Sequence, residues 1–312
     1  MRLIADAHCD TASEALDRNE SLYRNSGHID IERMKLNENH LQFFAAYIDQ
    51  EKYKDYPIHR LFSILDYIYM QMEEHGSFSI CRNYDEIMQA FENNKIASII
   101  SIENGSVLQG QLSALRMFYK LGVRSICLTW NYANEIADGV KDARLDRGLT
   151  SFGREVVLEM NRLGMLVDVS HLSEKSFWDV METAKAPLMA SHSNSKAYCS
   201  HPRNLNNDQL NAIKLNSGFV GINLYPVFLN DSGKASLDDI VRHIEHIVSI
   251  VGEDHIGLGT DFDGIESLPE GIGGLQDINR IFERLLALNY SNSFVEKFAG
   301  DNLVHIIKQN IG

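Results

Sequence analysis

Eight short apolar runs recur along the chain, most of them separated by amphipathic stretches with a spacing near 3.6 residues. The runs cover residues 2–8, 41–48, 96–103, 125–131, 166–171, 188–193, 219–225 and 255–262. Most are nearly continuous in Val, Ile, Leu, Phe and Ala, as strands buried on both faces are. Helical spacing marks 56–74, 112–121, 151–163, 174–184, 208–215 and 237–251, then 277–288 and 293–308 after the eighth run. Strand and helix alternating in this way predict an α/β fold, a TIM-type (β/α)8 barrel. An open doubly wound sheet fits less well, because no glycine-rich dinucleotide fingerprint follows the first run. No low-complexity linker divides the 312 residues, so a single barrel domain spanning 1–312 is expected. The polar, turn-forming segment 11–39 is expected to wrap the barrel mouth.

Hydrophobic residues make up 44% of the chain, enough for a core that needs no disulfide to fold. The formal net charge of −14 argues against a nucleic-acid partner, which needs a basic face, and against an anionic membrane surface. No run approaches the roughly 18 apolar residues of a membrane helix. Cys9, Cys81, Cys127 and Cys199 include no CxxC pair and read as free thiols. With no secretion or lipid-anchor signal recognisable, the expected compartment is the cytoplasm.

The His, Asp and Glu residues fall at particular places in this pattern. His8 and Asp10 close the first run as His-Cys-Asp, and Glu103 closes the third. His171 closes the fifth, His192 lies near the end of the sixth, and Asp261 near the end of the eighth. Barrel enzymes keep their chemistry at the C-terminal ends of strands, so these six groups should converge on one mouth. Residues two apart in a strand point to the same side, which suits His8 and Asp10 to one cation and turns Cys9 away. A carboxylate such as Glu103, ending a strongly apolar strand, must be paired or bound. Imidazoles with carboxylates suit Zn²⁺. Six such groups exceed the needs of one zinc and fit two, about 3.5 Å apart, sharing Glu103 and a hydroxide. The other histidines read as structural, with His243 and His246 on the solvated face of an amphipathic helix.

The motifs resemble those of a known family. Asp6-Ala-His-Cys-Asp-Thr11, Ile102-Glu-Asn-Gly105 and Gly257-Leu-Gly-Thr-Asp-Phe-Asp-Gly264 are similar to metal-site motifs of the membrane (renal-type) dipeptidase family. The block from Gly148-Leu-Thr-Ser-Phe-Gly153 through Leu163 to His171, continuing through Ala186 to Ser193 and on to Arg203-Asn204, is similar to the family's most recognisable stretch. The likeness runs from residue 4 to about residue 305. It implies a zinc-dependent dipeptidase within the amidohydrolase-type barrels, tolerant of a C-terminal D-residue and homodimeric in many members. By motif match, His8 and Asp10 would hold one zinc, His171 and His192 the other, with Glu103 between them. Asp261 would handle the proton as general base and then acid. Arg203 would bind substrate or the developing oxyanion.

Leu128-Thr-Trp-Asn131 departs from the animal-type pattern, which has His where this chain has Trp130. That His is thought to contact the substrate, whereas an indole N–H only donates. Trp130 therefore reads as a wall of the substrate pocket. Two alternatives stand beside the dipeptidase. One is another binuclear barrel hydrolase, a lactonase or phosphotriesterase-like enzyme, although those more often open with HxH. The other is a metal-binding homologue without turnover.

Overall fold

The computed structural model describes residues 3–311, so Arg2 of the first run lies outside the described residues. Among them, nine strands form one parallel sheet. These are β1 (Leu3–Cys9), β2 (Asn39–Tyr47), β3 (Phe78–Ile80), β4 (Ile96–Glu103), β5 (Val123–Cys127), β6 (Leu166–Asp168), β7 (Met189–Ala190), β8 (Phe219–Ile222) and β9 (Ile256–Leu258). The ladder runs from β2 through β1, β9, β8, β7, β6 and β5 to β4. β2 then pairs directly with β4, from Leu41 opposite Ala97 to Tyr47 opposite Glu103. That pairing closes an eight-stranded barrel.

β3 was not legible as a strand. It has three residues, only Phe78 is buried, and it lies outside the barrel wall. It pairs with Ile96–Ser98 of β4, below the point where β5 joins at Ile100. The helix Tyr84–Glu92, capped by Asn83, follows it and was also missed.

β4 is buried at every residue, with Ile99 in one core and Ile96, Ile100 and Ile102 in the other. Burying each is worth about 1.5–3 kcal/mol, which pins the strand and with it the Glu103 carboxylate at its end. The later strands are shorter than the apolar runs that contain them. β6 stops at Asp168, β7 at Ala190 and β9 at Leu258. The residues beyond leave the ladder, and His171, His192 and Asp261 stand on these turned segments. His171 and Asp261 have φ of 68° and 62°. For a residue with a Cβ that conformation costs about 1–2 kcal/mol, so packing on all sides must hold it.

Helices Ser151–Leu163 and Leu237–Val251 have the bounds their periodicity predicts. The segment after β1 is more ordered than its composition suggested, since Thr11–Arg18 is helical. His243 corrects the sequence reading. It is fully buried, not solvated, because it follows Ile240 by three residues and shares the apolar face with Ile244 and Ile247. Its Nδ1 accepts from the Ser195 amide at 3.1 Å, and its Nε2 donates to the Leu229 carbonyl at 2.9 Å. His246 is half-buried, with Nε2 2.9 Å from Asn207 Oδ1. All four cysteines are free and buried. Among the described residues no helix is long and apolar enough to cross a membrane.

Candidate metal centre

Asp6, two residues before His8, is buried at the first step of the site. It accepts from the Thr260 amide at 2.9 Å and the Thr260 hydroxyl at 2.6 Å. This latch fixes β1 against the segment after β9. One residue further on, the Asp261 amide donates to the His8 carbonyl at 3.2 Å. Two parts of the chain 250 residues apart thereby bring His8, Asp10 and Asp261 together.

His8 Nε2 lies 3.4 Å from Asp10 Oδ2, 3.4 Å from Glu103 Oε2 and 3.8 Å from Asp261 Oδ1. The other Glu103 oxygen faces the opposite way. Oε1 is 3.0 Å from His171 Nε2 and 3.8 Å from His192 Nε2. Glu103 therefore divides its two oxygens between two groups of donors. All six side chains are buried; Asp10, Glu103, His171 and Asp261 line a cavity of about 440 Å³, and His8 and His192 lie behind them, outside its lining.

The donors fit metal ions. His171 Nδ1 is 3.0 Å from Asn131 Oδ1, an oxygen that only accepts, so that nitrogen carries the proton and Nε2 is a bare lone pair. His171 Nε2 and His192 Nε2 stand 2.8 Å apart beside the Glu103 carboxylate. His8 Nε2 and Asp10 Oδ1 are buried without a hydrogen-bond partner. Lone pairs and carboxylates converging in this way repel one another unless a cation lies between them. Among the described residues three groups of donors lie close enough to share an ion: His8 with Asp10 and Asp261, Glu103 with His171 and His192, and His8 with Asp168 and His192.

For His171 and His192 the electrostatics agree. Burial and the Arg203 charge push His171 down to about 3, and burial holds His192 well below the usual imidazole range. Both are therefore neutral, as metal-binding imidazoles must be. Burial opposes charge on His8, yet Glu103 and Asp10 override it and raise its proton affinity. Burial also opposes charge on Glu103, which His8 and His171 nevertheless hold well below the usual carboxylate range. Burial, with Glu103 nearby, pushes Asp261 up to about 6 against the pull of His8. Asn223 donates to Asp261 Oδ2 at 2.8 Å, which leaves Oδ1 facing the cluster.

Trp130 forms one wall of the cavity with Tyr47, their ring centroids 5.3 Å apart. Tyr225 and Phe228 form another, at 5.0 Å. Arg203 is placed differently. Its guanidinium is buried, donates from Nη2 to the His192 carbonyl at 3.2 Å and lies 5.5 Å from the Phe228 ring. It lines a small side cavity beyond His171, and its Nε has no partner. Cys9 points away, donating to the Phe43 carbonyl.

A model of the membrane dipeptidase family, peptidase family M19, matches residues 2–311. The chain belongs to this family. An uncharacterized dipeptidase of Schizosaccharomyces pombe is 33% identical over 304 residues, covering 91% of this chain and 72% of that one. Two solved structures superpose over nearly the whole length. A metallo peptidase described as dipeptidase AC gives a TM-score of 0.92 at 28% identity, covering 100% of this chain and 99% of that one. A metallo peptidase from Rhodobacter sphaeroides, liganded with a phosphinate mimic of the dipeptide L-Ala-D-Ala, gives 0.91 at 26%, covering 99% of each. For a member of the membrane dipeptidase family, Asp6, Asp168, Ser191 and Asn223 are the residues that sequence reading missed. Asp6 and Asp168 had a signal, since a carboxylate within a buried apolar run needs a partner. Ser191 and Asn223 had none.

Proposed function

We propose that this protein is a metal-dependent dipeptidase holding two zinc ions, one on His8 and Asp10 and one on His171 and His192, with Glu103 shared. The observation that carries the reading is the division of the Glu103 oxygens between His8 on one side and His171 and His192 on the other. Bound there, the two ions would lower the pKa of a water and polarise the scissile carbonyl. Asp261 Oδ1 takes the proton from the attacking water, and Asn223 keeps Oδ2 out of that exchange. The same oxygen returns the proton to the leaving amine. Burial opposes charge on this carboxyl, which favours its taking up a proton and giving it back. Arg203 supplies positive charge from behind His192; its role toward a substrate carboxylate or developing oxyanion is carried over from the family resemblance. Trp130 bounds the space for the dipeptide side chains.

Tolerance of a C-terminal D-residue, and a homodimer, are carried over from the family resemblance. The L-Ala-D-Ala mimic bound to the Rhodobacter relative supports the former. The test is a panel of L-L and L-D dipeptides, lactones and phosphotriesters, with metal analysis of the same sample. Dipeptide turnover with two zinc ions per chain is expected. Lactone turnover alone would transfer the protein to another hydrolase class, and bound zinc without turnover would make it a binding homologue.

A further inference from the structure

Asp168 does not border the main cavity, yet it ends beside the metal centre with three of its acceptor positions in use. Its Oδ1 accepts from the Ser170 amide at 2.9 Å and the Ser191 amide at 3.1 Å. Its Oδ2 accepts from the Ser191 hydroxyl at 2.5 Å. Ser191 has only one hydroxyl proton. The next oxygen that could take it, Ser170 Oγ, is 3.4 Å away, so the carboxylate has it. His192 Nδ1 lies 2.7 Å from the same Ser191 oxygen, which can now only accept. The His192 proton must then sit on Nδ1, leaving Nε2 as a bare lone pair turned toward Glu103 and His171.

We infer that Asp168 and Ser191 are positioning residues that fix the tautomer of His192 by a two-step relay. Asn131 does the same for His171 in one step. Outer partners of this kind orient a ligand and raise its basicity. The inference rests on the metal reading above for its purpose, but the tautomer can be read without metal. A direct ligand role for Asp168 is the competing account, since one of its oxygens lies within 4.8 Å of ring nitrogens of His8 and His192. Its three accepted hydrogen bonds argue against that role.

Two variants separate the accounts. In Asp168→Asn, the amide oxygen keeps both backbone bonds, but the new NH₂ donates to Ser191 Oγ. The hydroxyl proton then turns onto His192 Nδ1 and forces the proton to Nε2, where it blocks the metal. In Ser191→Ala, His192 merely loses its acceptor and samples both tautomers. Histidine-selective ¹⁵N spectra of the metal-free protein should show Nδ1–H in the wild type, a mixture in Ser191→Ala and Nε2–H in Asp168→Asn. Chelator competition should show one of two zinc equivalents weakened by about 10–100-fold in Ser191→Ala and more in Asp168→Asn, with Ser191→Thr restoring it. Melting temperatures of the metal-free variants report whether each is folded. A folded Ser191→Ala protein with wild-type zinc affinity and an unchanged His192 tautomer overturns the relay, and with Asp168→Asn still impaired it makes Asp168 a ligand. If the wild type takes up no zinc, the metal reading fails instead, and the spectra still decide the relay.

Discussion

A methyl group on Gly264 would fall 2.2 Å from Asp10 Oδ2 and 2.6 Å from Asp261 Oδ1. The glycine borders the cavity and leaves the two carboxylates room to approach His8. Substitution by alanine must move one of them. Gly264→Ala is expected to weaken zinc at the His8 and Asp10 half by tenfold or more, on the order of 1.4 kcal/mol, while the fold is retained. Zinc per chain after dialysis, with a thermal melt, checks this. Two tightly held equivalents in a folded Gly264→Ala protein would show that the carboxylates need no such space.

Glu103→Gln keeps the shape but replaces one acceptor oxygen with an NH₂ donor and loses the charge that faces both groups of imidazoles. Activity should fall by on the order of a hundredfold, about 2.7 kcal/mol, and both zinc equivalents should weaken together. The midpoint of thermal unfolding should move by only a few degrees, because β4 is held by its isoleucines. Loss of one zinc with the other unchanged would remove Glu103 from its shared position.

The sequence made the barrel and the six inner groups legible for a physical reason. Strands buried on both faces must be apolar throughout, so a His or carboxylate at the end of such a run stands out. Glu103 is the clearest case, because β4 has the bounds that its apolar run predicts. The supporting residues are hidden because their roles depend on partners far away in sequence. Ser191 gains its role only when β6 and β7 set it against Asp168, and Asn223 only when β8 sets it beside Asp261. β3 escaped because three residues outside the barrel wall, one buried and two half-buried, are too few to carry a period. His243 is hidden by its residue type: an ionisable side chain suggests a solvated face, while its spacing from Ile240 and to Ile247 puts it in the apolar stripe.

His40 should make stability depend on pH apart from the metal site. It is fully buried in β2, with Nδ1 3.3 Å from Asn37 Nδ2 and Nε2 3.1 Å from Gln42 Oε1. Burial pushes its pKa from 6.5 down to about 4, with Gln42 opposing. Between those values the unfolded chain binds a proton that the folded chain refuses. This contribution is complete above pH 6.5 and is lost as pH falls toward 4, by up to roughly 3 kcal/mol. Urea unfolding with chelator present, from pH 7 to 4, should be less steep in pH for His40→Gln than for the wild type. Identical pH dependence of the two would clear His40 of the effect.

Trp130 stands where animal-type relatives have a histidine, and its surroundings are those of a wall. Its ring meets Tyr47 at an interplanar angle of 62°, and the Lys141 ammonium lies 5.9 Å from its centroid. A wall binds substrate and transition state alike, so its removal should raise KM and leave kcat nearly unchanged. Trp130→Ala is expected to raise KM for dipeptides with bulky apolar side chains by about tenfold or more, the loss of ~1.5–3 kcal/mol of apolar contact. Small dipeptides such as those of alanine should be less affected, because they reach less of the ring. Steady-state kinetics across a size series reads both constants. A collapse of kcat at constant KM for every dipeptide would mean that the indole acts on the reacting carbonyl, and Trp130 would then have taken over the work of the missing histidine.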